Sequence, residues 1–405
     1  MTRSLATTIL IASGLAFAAP PPQPPPPNLI DLYRANSDPA LPPLPSDFSY
    51  SVGLFAFSPD EQWLGVVLLA RRTQSGKTPA PDSILLLVPL QGGDSRRIRI
   101  DPSLGTSVLW APDSKSVAIQ RYIRGHDPIQ IYNLSGELIS TGPPTGLLLG
   151  FIAPGRLLAL RQKADGKRAG FEAIDVRTSA ITPWRAPKRR NIEAIDSERG
   201  LVAMFPDAEG SKTLIVDYAT GKVAGSVKNQ DQVSLPECVH GLSYDDSHPG
   251  DCAPIFTPTR VYFAEDGRAL CQAAMVGAFK TYPACQDIET GKTIAEFRGF
   301  SGGAPAAASA RSSRMVLTKL NYLPSYWGAF GEVQSGLGAE TYESRVVWDF
   351  RSGVEVAAWA PSTQPTSGLF TGQATGRSAP AVAISSFGHY VAEVLGDEVH
   401  IYQIP

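Results

Sequence analysis

The string Ile131-Tyr132-Asn133-Leu134-Ser135-Gly136 comes back along the chain with variations. It returns as Val216-Asp217-Tyr218-Ala219-Thr220-Gly221, as Cys285-Gln286-Asp287-Ile288-Glu289-Thr290-Gly291 and as Val347-Trp348-Asp349-Phe350-Arg351-Ser352-Gly353. Each copy is a strand-like run closed by a polar residue and a Ser/Thr-Gly turn, and weaker copies stand at 87–93, 173–178 and 401–405. A strand and tight turn recurring every few tens of residues marks a repeat architecture, in which no unit buries its apolar surface alone.

A second signal runs in phase with the first. Ser58-Pro59-Asp60-Glu61, Ala111-Pro112-Asp113-Ser114, Ala153-Pro154-Gly155 and Asp196-Ser197-Glu198-Arg199-Gly200 each precede an apolar strand start. So do Ala264-Glu265-Asp266-Gly267, Ser312-Ser313-Arg314 and Ser385-Ser386-Phe387-Gly388. Pro, Asp and Gly supply the fixed or positive φ that tight turns need. Each unit reads strand, tight turn, strand, loop, strand, tight turn, strand, and seven units fit the chain. Sheets of this kind need cover on both faces, and a radial arrangement provides it while leaving only short edges. The expected fold is all-β, a seven-bladed β-propeller of four-stranded antiparallel blades.

Helical periodicity is confined to one short candidate at 28–35. The last unit runs out after its third strand, at Ile404-Pro405. Its outer strand is expected from the N-terminal side, within residues 28–50, where Pro39, Pro42, Pro43 and Pro45 suit an edge strand.

These residues resemble the WD-repeat-like β-propellers. Val347-Trp348-Asp349-Phe350-Arg351-Ser352-Gly353 is similar to that family's Trp-Asp strand end, and Phe57-Ser58-Pro59-Asp60 to its inner-strand turn. The likeness covers most of 50–405, with most repeats degenerate and the family's Gly-His pair missing ahead of the blades. It implies the fold and, from the usual role of its members, a binding platform; a scaffold with many unrelated roles specifies no single one.

Residues 1–18 read as an export signal. Arg3 precedes an apolar run over 5–17 that is too short for a membrane span, and Ala16-Phe17-Ala18 supplies the small-x-small cleavage pattern. The chain is therefore expected to be exported, periplasmic or extracellular, without a membrane span. Residues 19–46 read as a Pro-rich linker able to supply the closing strand, and 47–405 as the propeller. Pro20 to Pro27 is almost pure proline, a stiff spacer or else a docking ligand for an aromatic groove. A net charge of −2 and a single short basic cluster at Lys188-Arg189-Arg190 argue against nucleic acid as a general partner. Cys238 with Cys252 and Cys271 with Cys285 share one spacing and read as two local disulfides of an oxidising compartment. A Cys₄ metal site is the alternative, against which the missing close C-x₂₋₄-C spacing counts.

In such a blade the first-to-second and third-to-fourth turns lie on one face, and all other connections on the opposite face. The long connections, 71–82, 122–128, 230–254, 321–344 and 360–380, all belong to the second class. They read as a binding face, or as tolerated surface drift. Tyr322, Tyr326, Trp327 and Phe330 crowd one of them among glycines, which suits protein or sugar recognition, or a lid over the ring. Tyr244 and His126 are further candidate contacts. Asp245, Asp246, His248 and Asp251 form an oxygen-rich set able to hold Ca²⁺, or a solvated acidic loop, since no EF-hand spacing is present. His389 reads as a turn residue and His400 as a strand residue.

Gly299-Phe300-Ser301-Gly302-Gly303 has the Gly-x-Ser-x-Gly pattern, which acts only on a sharp strand-to-helix turn; Ala304-Pro305-Ala306 opens no helix. No phosphate loop, zinc motif or dinucleotide fingerprint occurs, and no catalytic residue is assigned. The expected function is a non-catalytic exported platform, monomeric, for a protein, peptide or glycan ligand, with no cofactor unless Ca²⁺ occupies the acidic loop. Two alternatives stand beside it: a propeller hydrolase or lyase with a cation at the central funnel, and a structural module of a cell-envelope complex.

Overall fold

A computed structural model describes residues 24–73, 79–100, 107–120, 129–142, 147–162, 168–185, 187, 190–206, 212–228, 258–276, 280–296, 304–321, 342–360, 382–395 and 397–405. Residues 1–18, which read as an export signal, lie outside them. The strands form seven separate four-stranded sheets, antiparallel throughout the described pairings. Six are built from consecutive strands: blade 1 over 48–100, blade 2 over 107–141, blade 3 over 147–184, blade 4 over 190–228, blade 5 over 258–296 and blade 6 over 304–359. The innermost strand of each touches that of the next, and the innermost strand of blade 7 returns to that of blade 1. The ring is a seven-bladed β-propeller.

Blade 7 takes three strands from 382–403 and its outer strand from Asn28–Arg34. That closing strand pairs antiparallel with Glu398–Gln403, from Asn28 opposite Gln403 to Arg34 opposite Glu398. The helical periodicity at 28–35 is thus overridden, and only Ala35–Ser37 forms a 3₁₀ turn. The open edge of blade 7 offers a row of backbone donors and acceptors, whereas a helix this short is marginal alone. The prolines also fall elsewhere than expected: Pro39, Pro42, Pro43 and Pro45 lie in the connection 38–47 between the closing strand and blade 1.

The middle strands are apolar on both faces because neighbouring blades cover both. Along Ile84-Leu85-Leu86-Leu87-Val88, Ile84, Leu86 and Val88 pack with Ala392, Val399 and Ile401 of blade 7. Leu85 and Leu87 pack with Val117 and Ile119 of blade 2. The period of two survives inside a continuous apolar run, as it must when a strand is buried twice over. Each such aliphatic contributes roughly 1.5–3 kcal/mol.

The recurring turn follows from the same economy of contacts. Asp217 Oδ1 accepts from the Thr220 N–H at 2.7 Å and its hydroxyl at 2.6 Å, and Asp287 does the same with Thr290 at 2.7 and 2.8 Å. Gly221 and Gly291 then donate to the aspartate carbonyls from φ of 68° and 67°, a region that disfavours any side chain. The Thr220 and Thr290 donors hold both carboxyls below the usual carboxylate range. At the inner turns, Ser58 Oγ accepts from the Trp63 N–H at 3.0 Å and Ser385 Oγ from the Tyr390 N–H at 2.9 Å.

Cys271 and Cys285 stand directly opposite on adjacent strands of blade 5, Ala269–Val276 and Lys280–Asp287, and are disulfide-bonded and fully buried. Cys238 and Cys252 lie outside the described residues. Among the described residues no helix is long and apolar enough to cross a membrane.

Two outcomes follow for stability. Replacing both Cys271 and Cys285 with Ser lowers unfolding free energy by about 2–4 kcal/mol, read by urea titration against the oxidised chain. The lowered carboxyls of Asp217 and Asp287 contribute stability that is whole above the unfolded value of 3.8 and lost as pH falls through the folded one. The Tm of the native chain therefore drops more steeply below about pH 4 than that of an Asp217→Asn/Asp287→Asn variant, in melts followed by circular dichroism.

Candidate functional site

The two ends of the ring differ in chain length. First-to-second and third-to-fourth strand turns occupy one end, and each is two to six residues long. The strands that flank 121–128, 229–257, 322–341 and 360–381 all finish at the opposite end. Tyr322, Tyr326, Trp327 and Phe330 fall within 322–341, and His126 within 121–128. Tyr244, Asp245, Asp246, His248 and Asp251 fall within 229–257, and Ser301 within 297–303. All of them lie outside the described residues. After Ser301 the chain enters a strand, Ala304–Ala308, not the helix that a nucleophile elbow requires.

The turn end is described throughout, and its polar groups are engaged between blades. The Asp60 N–H of blade 1 donates to Ser114 Oγ of blade 2 at 3.0 Å. Glu61 reaches the other way: its carboxylate accepts from the Phe387 N–H of blade 7 and sits 2.8 Å from His389 Nδ1. The Arg311 N–H of blade 6 donates to the Ser386 carbonyl at 2.8 Å. Its guanidinium lies 4.8 Å over the Phe387 ring and bonds Glu198 of blade 4, with Nε at 3.1 Å. Blade 5 is held beneath that bridge, with Asp266 N–H donating to the Ala310 carbonyl at 2.8 Å and Glu265 gripped bidentately by Arg351 at 2.6 Å on both oxygens.

Glu61, at φ of 57°, occupies a left-handed position that Gly388 fills in blade 7. A side chain is kept there because its carboxylate, almost fully buried, caps the neighbouring turn. Asp196 is pushed up by burial, against the opposing donations from the Arg199 and Glu198 backbone. A Cβ on Gly267 would stand 2.4 Å from its Oδ2, so the blade 5 turn approaches too closely for any side chain. His389 and His400 fall, as expected, in a turn and in a strand. None of these couplings was visible in the sequence, since Glu61 and His389 are 328 residues apart and Arg311 and Glu198 are 113 apart. Aligning the repeats turn on turn sets Glu61 against Ser114 of blade 2, also left-handed at φ of 59°, and Gly388 of blade 7, and Glu61 is the one carboxylate of the three.

Between the innermost strands of blades 2, 3 and 4 lies a cavity of about 200 Å³. Leu109, Leu149, Ile192, Ala194 and Ile195 wall it, with Glu193 the one carboxylate of the lining. Among the described residues no group of three or more His, Cys, Asp or Glu side chains is placed to hold a metal ion.

No family model and no curated protein matches the sequence. Solved structures do match in fold. A crystal structure of oligogalacturonate lyase from Vibrio parahaemolyticus aligns with a TM-score of 0.54 at 11% identity, over 94% of this chain and 99% of that one. A chain of a mitotic checkpoint complex gives 0.49 at 13% identity over 99% and 98%, and U3-55K gives 0.49 at 11% over 93% and 99%. At these identities the likeness is one of fold alone. The class is a seven-bladed β-propeller.

The Glu61 latch is testable by stability. Glu61→Ala strands the Phe387 N–H and lowers unfolding free energy by about 1–3 kcal/mol, measured by chemical denaturation. An Asp113→Ala control, at an exposed turn, changes it by less than about 0.5 kcal/mol.

Proposed function

We propose that this protein is an exported, non-catalytic binding platform that takes a protein, peptide or glycan ligand at the end of the propeller bearing the long connections. One observation carries the reading: every turn at the opposite end is short and several are tied to neighbouring blades, while the chain's surplus length belongs to one end. Surplus loop length on a rigid scaffold is where recognition is usually built. Tyr322, Tyr326, Trp327, Phe330 and Tyr244 would supply broad aromatic contact at low entropic cost, and His126 an adjacent polar one. Asp245, Asp246, His248 and Asp251 would hold Ca²⁺ if recognition is metal-dependent. The buried Cys271–Cys285 disulfide supports an oxidising, exported setting.

The test pairs the two ends. The chain is screened by surface plasmon resonance against extracellular proteins and an array of glycans. A Tyr326→Ala/Trp327→Ala variant is expected to weaken the ligand by at least about tenfold, and an Arg311→Ala variant at the turn end to retain it. The reverse pattern would overturn the reading. A stoichiometric divalent cation, lost from an Asp245→Asn/Asp246→Asn variant together with turnover of a screened glycan, would favour a cation-assisted lyase or hydrolase instead.

A further inference from the structure

The proline run does not simply lead away from the ring. Just ahead of the closing strand, the Pro25 carbonyl accepts the Ala358 N–H of the outer strand of blade 6, Val354–Trp359, at 3.1 Å. Two residues later Pro27 is buried, and Asn28 and Leu29 are already paired with Gln403 and Tyr402 of blade 7. Pro24 to Pro27 therefore crosses the outer seam between blades 6 and 7, anchored on one side next to Trp359 and on the other at Tyr402.

That seam is aromatic and its geometry is fixed. The Trp359 and Tyr402 rings are 5.5 Å apart, and His400 lies 6.2 Å from Tyr402. The Trp359 indole N–H donates to Glu393 Oε2 at 3.1 Å, and Glu393, fully buried, is itself held by Arg345 Nε at 2.8 Å. An indole locked from behind by a buried carboxylate presents a preorganised surface. Consecutive prolines hold φ near −65° and carry no N–H, so they adopt an extended left-handed helix that accepts hydrogen bonds and needs to donate none. Such a segment can cross an edge strand and an apolar seam without burying an orphan donor. Aromatic grooves with a flanking hydrogen-bond donor are the usual seat for chains of this conformation.

We infer that the outer seam between blades 6 and 7, formed by Trp359, Tyr402 and the Ala358 N–H, is a binding site for extended proline-rich chains, held here by the protein's own Pro24 to Pro27. Tethering raises the local concentration of the resident segment to about the millimolar range, so a separate proline-rich ligand enters only by displacing it. The site is built on the outer strands of blades 6 and 7 and shares no residue with the set assigned above to ligand recognition, so it stands or falls independently of that assignment.

The test uses the full chain and the labelled peptide Pro-Pro-Gln-Pro-Pro-Pro-Pro, which copies residues 21–27. A variant carrying Pro24→Gly, Pro25→Ser, Pro26→Gly and Pro27→Ser is expected to bind the peptide at least about tenfold more tightly than the native chain, by fluorescence anisotropy. Adding Trp359→Ala to that variant removes the binding, whereas Trp359→Phe, which keeps a ring and guards against misfolding, retains it. Hydrogen exchange supplies a readout that needs no ligand: the Ala358 amide exchanges about tenfold faster in the four-proline variant than in the native chain. Equal or absent peptide binding in both chains, binding insensitive to Trp359→Ala, or an unchanged Ala358 amide would each overturn the inference.

Discussion

The ladder between Asn28–Arg34 and Glu398–Gln403 joins the two ends of the chain, and the ring exists as a ring because of it. With that strand in place, Ile401 and Val399 are buried between blades 7 and 1 together with Leu86 and Val88. The chain then passes directly into blade 1. Asn36 exchanges two hydrogen bonds with the Tyr50 backbone of the first inner strand and also bonds Asp397, while the Ala35 N–H donates to the Asp397 carbonyl. Burial would raise the Asp38 carboxyl, but donors from Ala40, Arg97 and Tyr33 together hold it low. Closure is thus a sequence of contacts from strand to turn to next blade, each fixing the position of the one after it.

The turn end shows how the blades are kept in register once the ring is closed. Neighbouring sheets share apolar faces, and apolar contact is not directional. Direction comes from the inner turns, where Glu61, Ser114, Arg311 and Glu265 each reach an adjacent blade. Arg311 reaches one blade further, to Glu198, so blades 4 and 6 are linked across blade 5. Glu61 has a left-handed backbone for the same reason: its carboxylate serves the blade 7 turn better than a glycine would. The groups named at this end hold the blades to one another, and ligands are therefore proposed at the other end and at the outer seam.

The seven units and their four strands were legible in the residues because two local signals, the Asp-x-x-Thr-Gly strand end and the Ser/Ala-Pro-Asp turn, act within five residues. Asp217 with Thr220 and Ser58 with Trp63 need no distant partner to form. The Cys271–Cys285 pair was legible for a similar reason, since both lie on one hairpin. The segment at 28–35 carries a spacing compatible with a helix and also lies in the stretch expected to close blade 7, and the choice between helix and strand lay with an edge some 370 residues away. The Trp359–Glu393–Arg345 lock and the Arg311–Glu198 bridge left no trace in the sequence, because each joins residues from different repeats with no shared local pattern. The aromatic and acidic candidates at the long-connection end came from composition alone.

What the sequence determined by itself was the repeat: strand lengths, turn chemistry and the need for each sheet to be covered on both faces, all matters of nearest neighbours along the chain. Tertiary structure alone decided which end is tied shut, which stretch within 28–50 completes blade 7 and where Pro24 to Pro27 come to rest. Those outcomes depend on which surfaces remain uncovered after seven sheets have packed, and an uncovered edge is a property of the assembled ring, with no residue of its own to announce it.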